Sequence, residues 1–198
     1  YQPGVTKEIE PPKELMMEKG SFENLSPEFN TFSKSISEND MTQKTSGRDV
    51  SWFGAVDYEY TGAKHPAQDM PDEFATIARQ LEQKLGYREG YFNSVLSNLY
   101  PKGSKVARHS DDEKIFIREN KTIGAVATVN LGGKARITIT NKKTGDVEDV
   151  ITVEDGDLYV MPDGTFQTEK WHTVGPASGP RISMTFRHIP RSVLERQG

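Results

Sequence analysis

The sequence contains four histidines, His65, His109, His172 and His188, and no cysteine. Disulfides, zinc-thiolate sites and thiol nucleophiles are thereby excluded, and any metal has to sit on imidazole and carboxylate. His109-Ser110-Asp111 offers two such ligands two residues apart, which on an extended segment turns both side chains to one side. A third ligand from a distant strand would complete two histidines and one carboxylate on one face of an octahedron. Non-haem Fe(II) oxygenases use this arrangement to leave three positions open for co-substrate and dioxygen. By itself, a His-x-Asp is usually a surface accident.

A second set of residues lies near the carboxy terminus, in Trp171-His172-Thr173-Val174 and in the run Arg181 to Arg187. Arg181, Ser183, Thr185 and Arg187 alternate with Ile182, Met184 and Phe186, so on a strand the polar members share one face and the apolar members pack on the other. Two arginines turned into a β domain need partners. A bound dicarboxylate would supply them through fork-shaped hydrogen bonds that Lys does not reproduce. Either arginine alone also fits a structural salt bridge at a strand end.

Positioning these residues requires a β scaffold, and the chain has one in its second half. From Tyr91 onward, strand-like runs follow one another: Phe92–Tyr100, Ile123–Leu131, Ala135–Thr140, Val147–Val153, Leu158–Met161, Trp171–Val174 and Ile182–Phe186. Turn residues at Asn141 to Gly145 and at Asp155-Gly156 separate some of them. Before them, Ser26-Pro27 opens a short helix through Phe29, Phe32, Ser33 and Ile36. Pro71-Asp72 opens a second, with Phe74, Ile77, Ala78, Leu81 and Leu85 on one face and Gly86 at its end. Residues 47–66 read as a loop or hairpin carrying Trp52, Phe53, Tyr58 and Tyr60. The expected class is mainly β with flanking helices (α+β): N-terminal helices followed by a double-stranded β-helix, or jelly roll.

At 198 residues one catalytic domain with a peripheral extension is expected. The 34% hydrophobic content and mean hydropathy of -0.68 point to polar margins around it. No apolar run is long enough to span a bilayer and no secretory pattern opens the chain, so a soluble intracellular protein without membrane association is expected. The start at Tyr1 rather than Met reads as a processed product or a piece of something longer. A net charge of -4 gives no global attraction to nucleic acid. Lys102, Lys105, Arg108, Lys114, Arg118, Lys121, Lys134, Arg136, Lys142 and Lys143 nevertheless gather positive charge between residues 101 and 143, which charge alone reads as a solvated face.

Taken in order, Asn98-Leu99-Tyr100, His109-Ser110-Asp111-Asp112-Glu113, His172, and Arg181 with Arg187 resemble the signature of the AlkB family of Fe(II)- and 2-oxoglutarate-dependent dioxygenases. The resemblance runs from Tyr91 to His188. It implies that His109, Asp111 and His172 hold Fe(II), that the far carboxylate of 2-oxoglutarate meets Arg181, and that Asn98, Tyr100 and Arg187 add hydrogen bonds, with Arg187 nearer the metal-bound end. Ser183 stands where the family commonly has Asn, which alters one contact supporting the site. With O2, such an enzyme removes methyl groups from N-alkylated bases of the 1-methyladenine and 3-methylcytosine type, in single-stranded RNA or DNA, and releases formaldehyde, succinate and CO2.

The Asp-Asp-Glu after the first histidine points within the family toward nucleic-acid demethylases. Asp112 and Glu113 count as substrate-facing, Asp112 either accepting from an exocyclic amine or ordering its loop. Residues 47–66 correspond to the family's nucleotide-recognition lid, with Trp52, Phe53, Tyr58 and Tyr60 as stacking platforms. Ordinary packing is expected for at least two of the four, and Trp171 reads as core. The implied division is a flexible tail over 1–20, a helical extension and lid over 21–90, the jelly-roll core over 91–190 and a C-terminal tail over 191–198. Compactness, the polar extension and the non-Met start are similar to AlkB domains within replication polyproteins of plant RNA viruses. That implies a monomer or part of a larger polyprotein, in the host cytoplasm. Two rival readings use the same residues: a 2-oxoglutarate hydroxylase of a protein or small molecule, and a catalytically silent jelly roll that binds RNA through residues 101–143.

Overall fold

The computed structural model describes residues 9–39, 41–45, 47–60 and 63–197. Its elements run β1 Met16–Glu18, a 3-10 turn Glu23–Glu28, α1 Phe29–Ser37, β2 Gln43–Thr45, β3 Arg48–Phe53, β4 Tyr58–Tyr60, β5 Ala63–His65 and α2 Asp72–Leu85. There follow β6 Ser94–Tyr100, β7 Val106–His109, a 3-10 turn Lys114–Phe116, β8 Val126–Gly132, β9 Ala135–Asn141, β10 Val147–Val153 and β11 Asp157–Met161. The chain ends in α3 Phe166–Glu169, β12 Lys170–Val174, β13 Arg181–Arg187 and α4 Arg191–Gln197. Seven strands form a major antiparallel sheet in the order β1-β11-β8-β13-β6-β3-β2, and four form a minor sheet in the order β10-β9-β12-β7. These two sheets make the expected jelly roll, and β4 with β5 is a separate hairpin.

Alternation along the strands explains the layers. β13 is buried from end to end. Its apolar residues Ile182, Met184 and Phe186 join Val95 and Val129 under the helices, where Phe32 and Ile36 of α1 and Phe74, Ile77, Ala78, Leu81 and Leu85 of α2 cover them. Its polar residues face the minor sheet. There Ile137, Ile139, Val153, Val174, Tyr159 and Met161 fill most of the space between the sheets.

α2 forms where its apolar spacing predicts it. Pro71 caps its start in an extended conformation, Asp72 and Glu73 sit at the positive end of its dipole, and Gly86 ends it at φ 81°. The amides of Gly86 and Tyr87 return to the Glu82 carbonyl at 3.0 and 2.9 Å. The Glu82 carboxylate is buried but saturated: Arg79 donates to it at 2.5 and 2.8 Å, and the amides of Gly90 and Phe92 donate at 3.0 and 2.8 Å. This ties the helix end to the turn that launches β6.

Four expectations are corrected. Met16–Glu18, expected within a flexible tail, is an edge strand on β11, with Met16 packed on the helix-side core and Met17 on the inter-sheet core. Residues 47–66, expected as a loop or hairpin, divide: Tyr58–Tyr60 and Ala63–His65 form a hairpin, whereas Arg48–Phe53 is β3 of the major sheet, paired with β6. The C-terminal tail forms α4, anchored by buried Val193. A 3-10 turn holds Pro27, and the first helix proper starts at Phe29. Runs of three to seven residues carry too little periodicity to be read from sequence, and long-range pairing decides them. The expectations for residues 1–8 and for the Tyr60 side chain lie outside the described residues.

Candidate metal centre and co-substrate pocket

Strand pairing builds the candidate metal centre. β7 and β12 pair with His109 opposite His172, and the two rings lie 4.0 Å apart between centroids. The loop after β7 brings Asp111 beside them. It is pinned by a hydrogen bond from the Ser110 hydroxyl to the Lys170 carbonyl at 2.7 Å and from the Asp111 amide to Gln167 Oε1 at 2.9 Å. One ligating atom from each of His109, Asp111 and His172 falls within 4.8 Å of the others. The three residues predicted from two distant segments therefore meet.

Their protonation suits a divalent cation. His109 Nδ1 lies 2.9 Å from the Ala107 carbonyl, which places its proton there and leaves Nε2 for a metal. His172 Nε2 is buried without a hydrogen-bond partner, a state that a bound metal would relieve. Burial drives the His172 pKa down to about 4, against the opposing pull of Asp111, so the imidazole is neutral at pH 7. Burial also works against a charged Asp111, yet Arg187 and the two histidines outweigh it and hold the carboxyl below its ordinary range. Two imidazoles and one carboxylate are the donor set expected for non-haem Fe(II).

The floor of the pocket is a row of polar residues on the inner face of the major sheet. Arg181 is opposite Tyr100, and Ser183 is flanked by Asn98 on β6 and Asn130 on β8. Arg181 donates to Asn130 Oδ1 at 2.9 Å and its guanidinium lies 4.5 Å from the Tyr100 ring centroid. Its Nε is buried without an acceptor. Among the described residues no carboxylate comes within 4.0 Å of it, which leaves a buried cation with no protein anion. Asn98 Oδ1 is likewise buried and unpaired. A dicarboxylate seated here would satisfy Arg181, so the residues fit the expected co-substrate. Arg187 differs: it already bonds Asp111, with Nη2 to Oδ1 at 2.5 Å.

The predicted substrate residues are split by the fold. Tyr58 lines the pocket and donates from its hydroxyl to Glu113 Oε1 at 2.8 Å, while Arg187 Nη1 approaches the same hydroxyl at 3.4 Å. Glu113 is half-buried, and burial, only partly offset by Arg187, raises its pKa. Asp112 points outward, exposed, 3.6 Å from Lys142. Trp52 and Phe53, expected as stacking platforms, are core residues. Trp52 stacks on Tyr58 at 4.7 Å and donates to the Val56 carbonyl at 2.9 Å, and Phe53 packs on Phe74 at 5.3 Å. Trp171, expected in the core, is half-exposed on the outer side of the minor sheet.

Among the polar residues that line the pocket, Arg48, Thr128, Tyr159 and Thr185 were not expected as site residues. Thr128 alternates with apolar neighbours on β8, a signal present in the Ile123–Leu131 run, as does Asn130, which supports Arg181. Arg48 also lines the pocket, but only the register of β3 on β6 brings it there.

Comparison with known proteins agrees with this geometry. Residues 13–187 match the 2OG-Fe(II) oxygenase superfamily. The RNA replication protein of Grapevine virus A is 30% identical over 159 residues, covering 79% of this chain and 9% of that protein. That of Papaya mosaic potexvirus is 31% identical over 140 residues, covering 69% of this chain and 8% of that protein. The chain thus spans under a tenth of these relatives. The solved structure of OsALKBH1 shares the fold, with a TM-score of 0.66 at 14% identity over 92% of this chain and 100% of that one. With a His-Asp-His centre, a jelly roll of AlkB type and a match along residues 13–187, the chain belongs to the 2OG-Fe(II) oxygenase superfamily, as a dioxygenase that uses Fe(II), 2-oxoglutarate and O2.

Proposed function

We propose that this dioxygenase is an oxidative demethylase of N-alkylated nucleic-acid bases, of the 1-methyladenine and 3-methylcytosine type, acting on single-stranded RNA. The observation that carries the nucleic-acid reading is the combination of an AlkB-type fold with sequence similarity to viral RNA replication proteins. The same relatives support reading the chain as part of a larger replication polyprotein in the host cytoplasm. Among the described residues no helix is long and apolar enough to cross a membrane.

Fe(II) with 2-oxoglutarate and O2 supplies the oxidising power that converts an N-methyl group to formaldehyde, leaving succinate and CO2. The chain's residues bind and orient. His109, Asp111 and His172 hold the metal, and Arg181 takes the far carboxylate of 2-oxoglutarate with Asn98 and Tyr100 beside it. Arg187 steadies Asp111 at the metal-bound end, and Ser183, smaller than the family's usual Asn, leaves Asn130 to support Arg181. The β4–β5 hairpin serves as the lid over the base, tied down by the Tyr58 bond to Glu113. Glu113, with one buried carboxylate oxygen unpaired, faces the base. Trp52, buried against Tyr58, supports the lid from below instead of stacking on the substrate, while Phe53 packs on α2 through Phe74.

A net charge of -4 leaves only local basic residues to hold a backbone, so little binding energy is available to extrude a paired base, which costs roughly a few kcal/mol. Formaldehyde release from 1-methyladenine and 3-methylcytosine strands, single and annealed, at one fixed salt concentration tests this, with His109→Ala as the blank. Faster turnover of single strands is expected. Equal or faster turnover of the duplex overturns the single-strand preference, and release of succinate without formaldehyde from any strand overturns the substrate assignment.

A further inference from the structure

Residues that immediately precede the metal ligands turn the other way. Along β7 and β12 side chains alternate, so Arg108, before His109, and Trp171, before His172, project from the outer face of the minor sheet. Trp171 is half-exposed and belongs to none of the three buried apolar clusters. The Arg108 guanidinium lies 5.0 Å from the Trp171 ring and the Lys142 ammonium 4.3 Å from it. They reach it from opposite neighbours, because β12 lies between β7 and β9 and Lys142 directly follows the end of β9. Lys142 is also 3.6 Å from Asp112, the exposed residue next to the ligand Asp111. A line of side chains therefore leads from the loop at the metal centre onto the open sheet face.

An indole that holds two cations on an exposed sheet face adds nothing to the core, while it presents fixed positive charge beside an aromatic surface. Phosphates bind such cations, and bases or riboses lie against such rings. We propose that Trp171, Arg108 and Lys142 form a docking point for single-stranded polynucleotide outside the pocket, holding nucleotides that flank the one whose base enters the site. The proposal rests on the nucleic-acid reading above and adds a surface to it.

The test measures binding apart from turnover, using the full chain loaded with Co(II) and unmodified oligoribonucleotides of three and nine nucleotides across a salt series. The wild-type protein should prefer the longer strand. Arg108→Gln with Lys142→Gln should lower the log-log salt slope for that strand by about two, one per cation removed. Trp171→Ala should weaken it roughly ten-fold, Trp171→Phe much less, with three-nucleotide binding and Co(II) affinity unchanged in all variants. Salt slope and length preference that stay at wild-type values in the variants overturn the docking point alone. So does loss of Co(II) from Trp171→Ala combined with an unaltered salt slope in the double variant, since that identifies a structural role. A wild-type protein with no salt-dependent affinity for either strand removes the nucleic-acid reading together with the proposal.

Discussion

Arg187 donates from Nη2 to Asp111 Oδ1 at 2.5 Å, while Oδ2 of the same carboxylate lies 3.7 Å from His172 Nε2. One oxygen is held by the arginine and the other is turned toward the imidazole, so the only anionic member of the triad is oriented by a residue 76 positions away. Supporting contacts of this kind commonly alter metal affinity about 10- to 100-fold when removed. Arg187→Gln should weaken Fe(II) binding by that amount, measured by anaerobic titration. Wild-type affinity in the variant would take Arg187 out of this role.

Arg181 is a buried cation whose described neighbours include no carboxylate. Arg181→Lys keeps the charge and loses the planar fork, with a penalty of about 1.5–3 kcal/mol for a charge-assisted hydrogen bond. The requirement for 2-oxoglutarate should rise about ten-fold or more, both in turnover and in direct binding to the Co(II) protein, with metal affinity unchanged. An unaltered requirement accompanied by weaker RNA binding would reassign Arg181 to the substrate.

Burial lowers the pKa of His65, His172 and His188, that of His172 to about 4. Between the ordinary imidazole value of 6.5 and the lowered values, the unfolded chain binds more protons than the folded one. Stability of the metal-free protein should therefore be fully present above pH 6.5 and fall as the pH drops toward 4. Glu113, raised by burial above its ordinary value of 4.5, acts in the opposite sense and offsets part of the loss. Thermal unfolding in chelator from pH 7.5 to 4.5 follows this directly, and His188→Asn should flatten the profile. A midpoint that stays constant or rises on acidification contradicts the assignment.

The buried Glu82 carboxylate accepts from Arg79 and from the amides of Gly90 and Phe92. Glu82→Ala would leave those amides without acceptors and the arginine without its anion, destabilising the fold by about 3–5 kcal/mol. Urea unfolding should show this as a lower midpoint at unchanged slope. A shift below about 1 kcal/mol would mean that water replaces the carboxylate.

Much of the site was legible because its signals are local. His109 and Asp111 are two apart, Arg181 to Arg187 alternate strictly with apolar residues, and α2 carries its start, stripe and Gly86 stop within one segment. The sequence by itself therefore determined the donor types open to a metal, imidazole and carboxylate with no cysteine, together with the inward face of β13 and the extent of α2. The tertiary structure alone decided which partners those residues have. Arg187 binds the candidate metal ligand Asp111 whereas Arg181 has Asn130 and, among the described residues, no acid, although the two arginines look equivalent on one strand. Trp52 and Phe53 went to the core and Trp171 to the surface for the same kind of reason, as did β1 and β3 in joining the major sheet. An aromatic or a three-residue strand is placed by what lies across the sheet from it, and those neighbours are brought near only when segments distant in sequence pair.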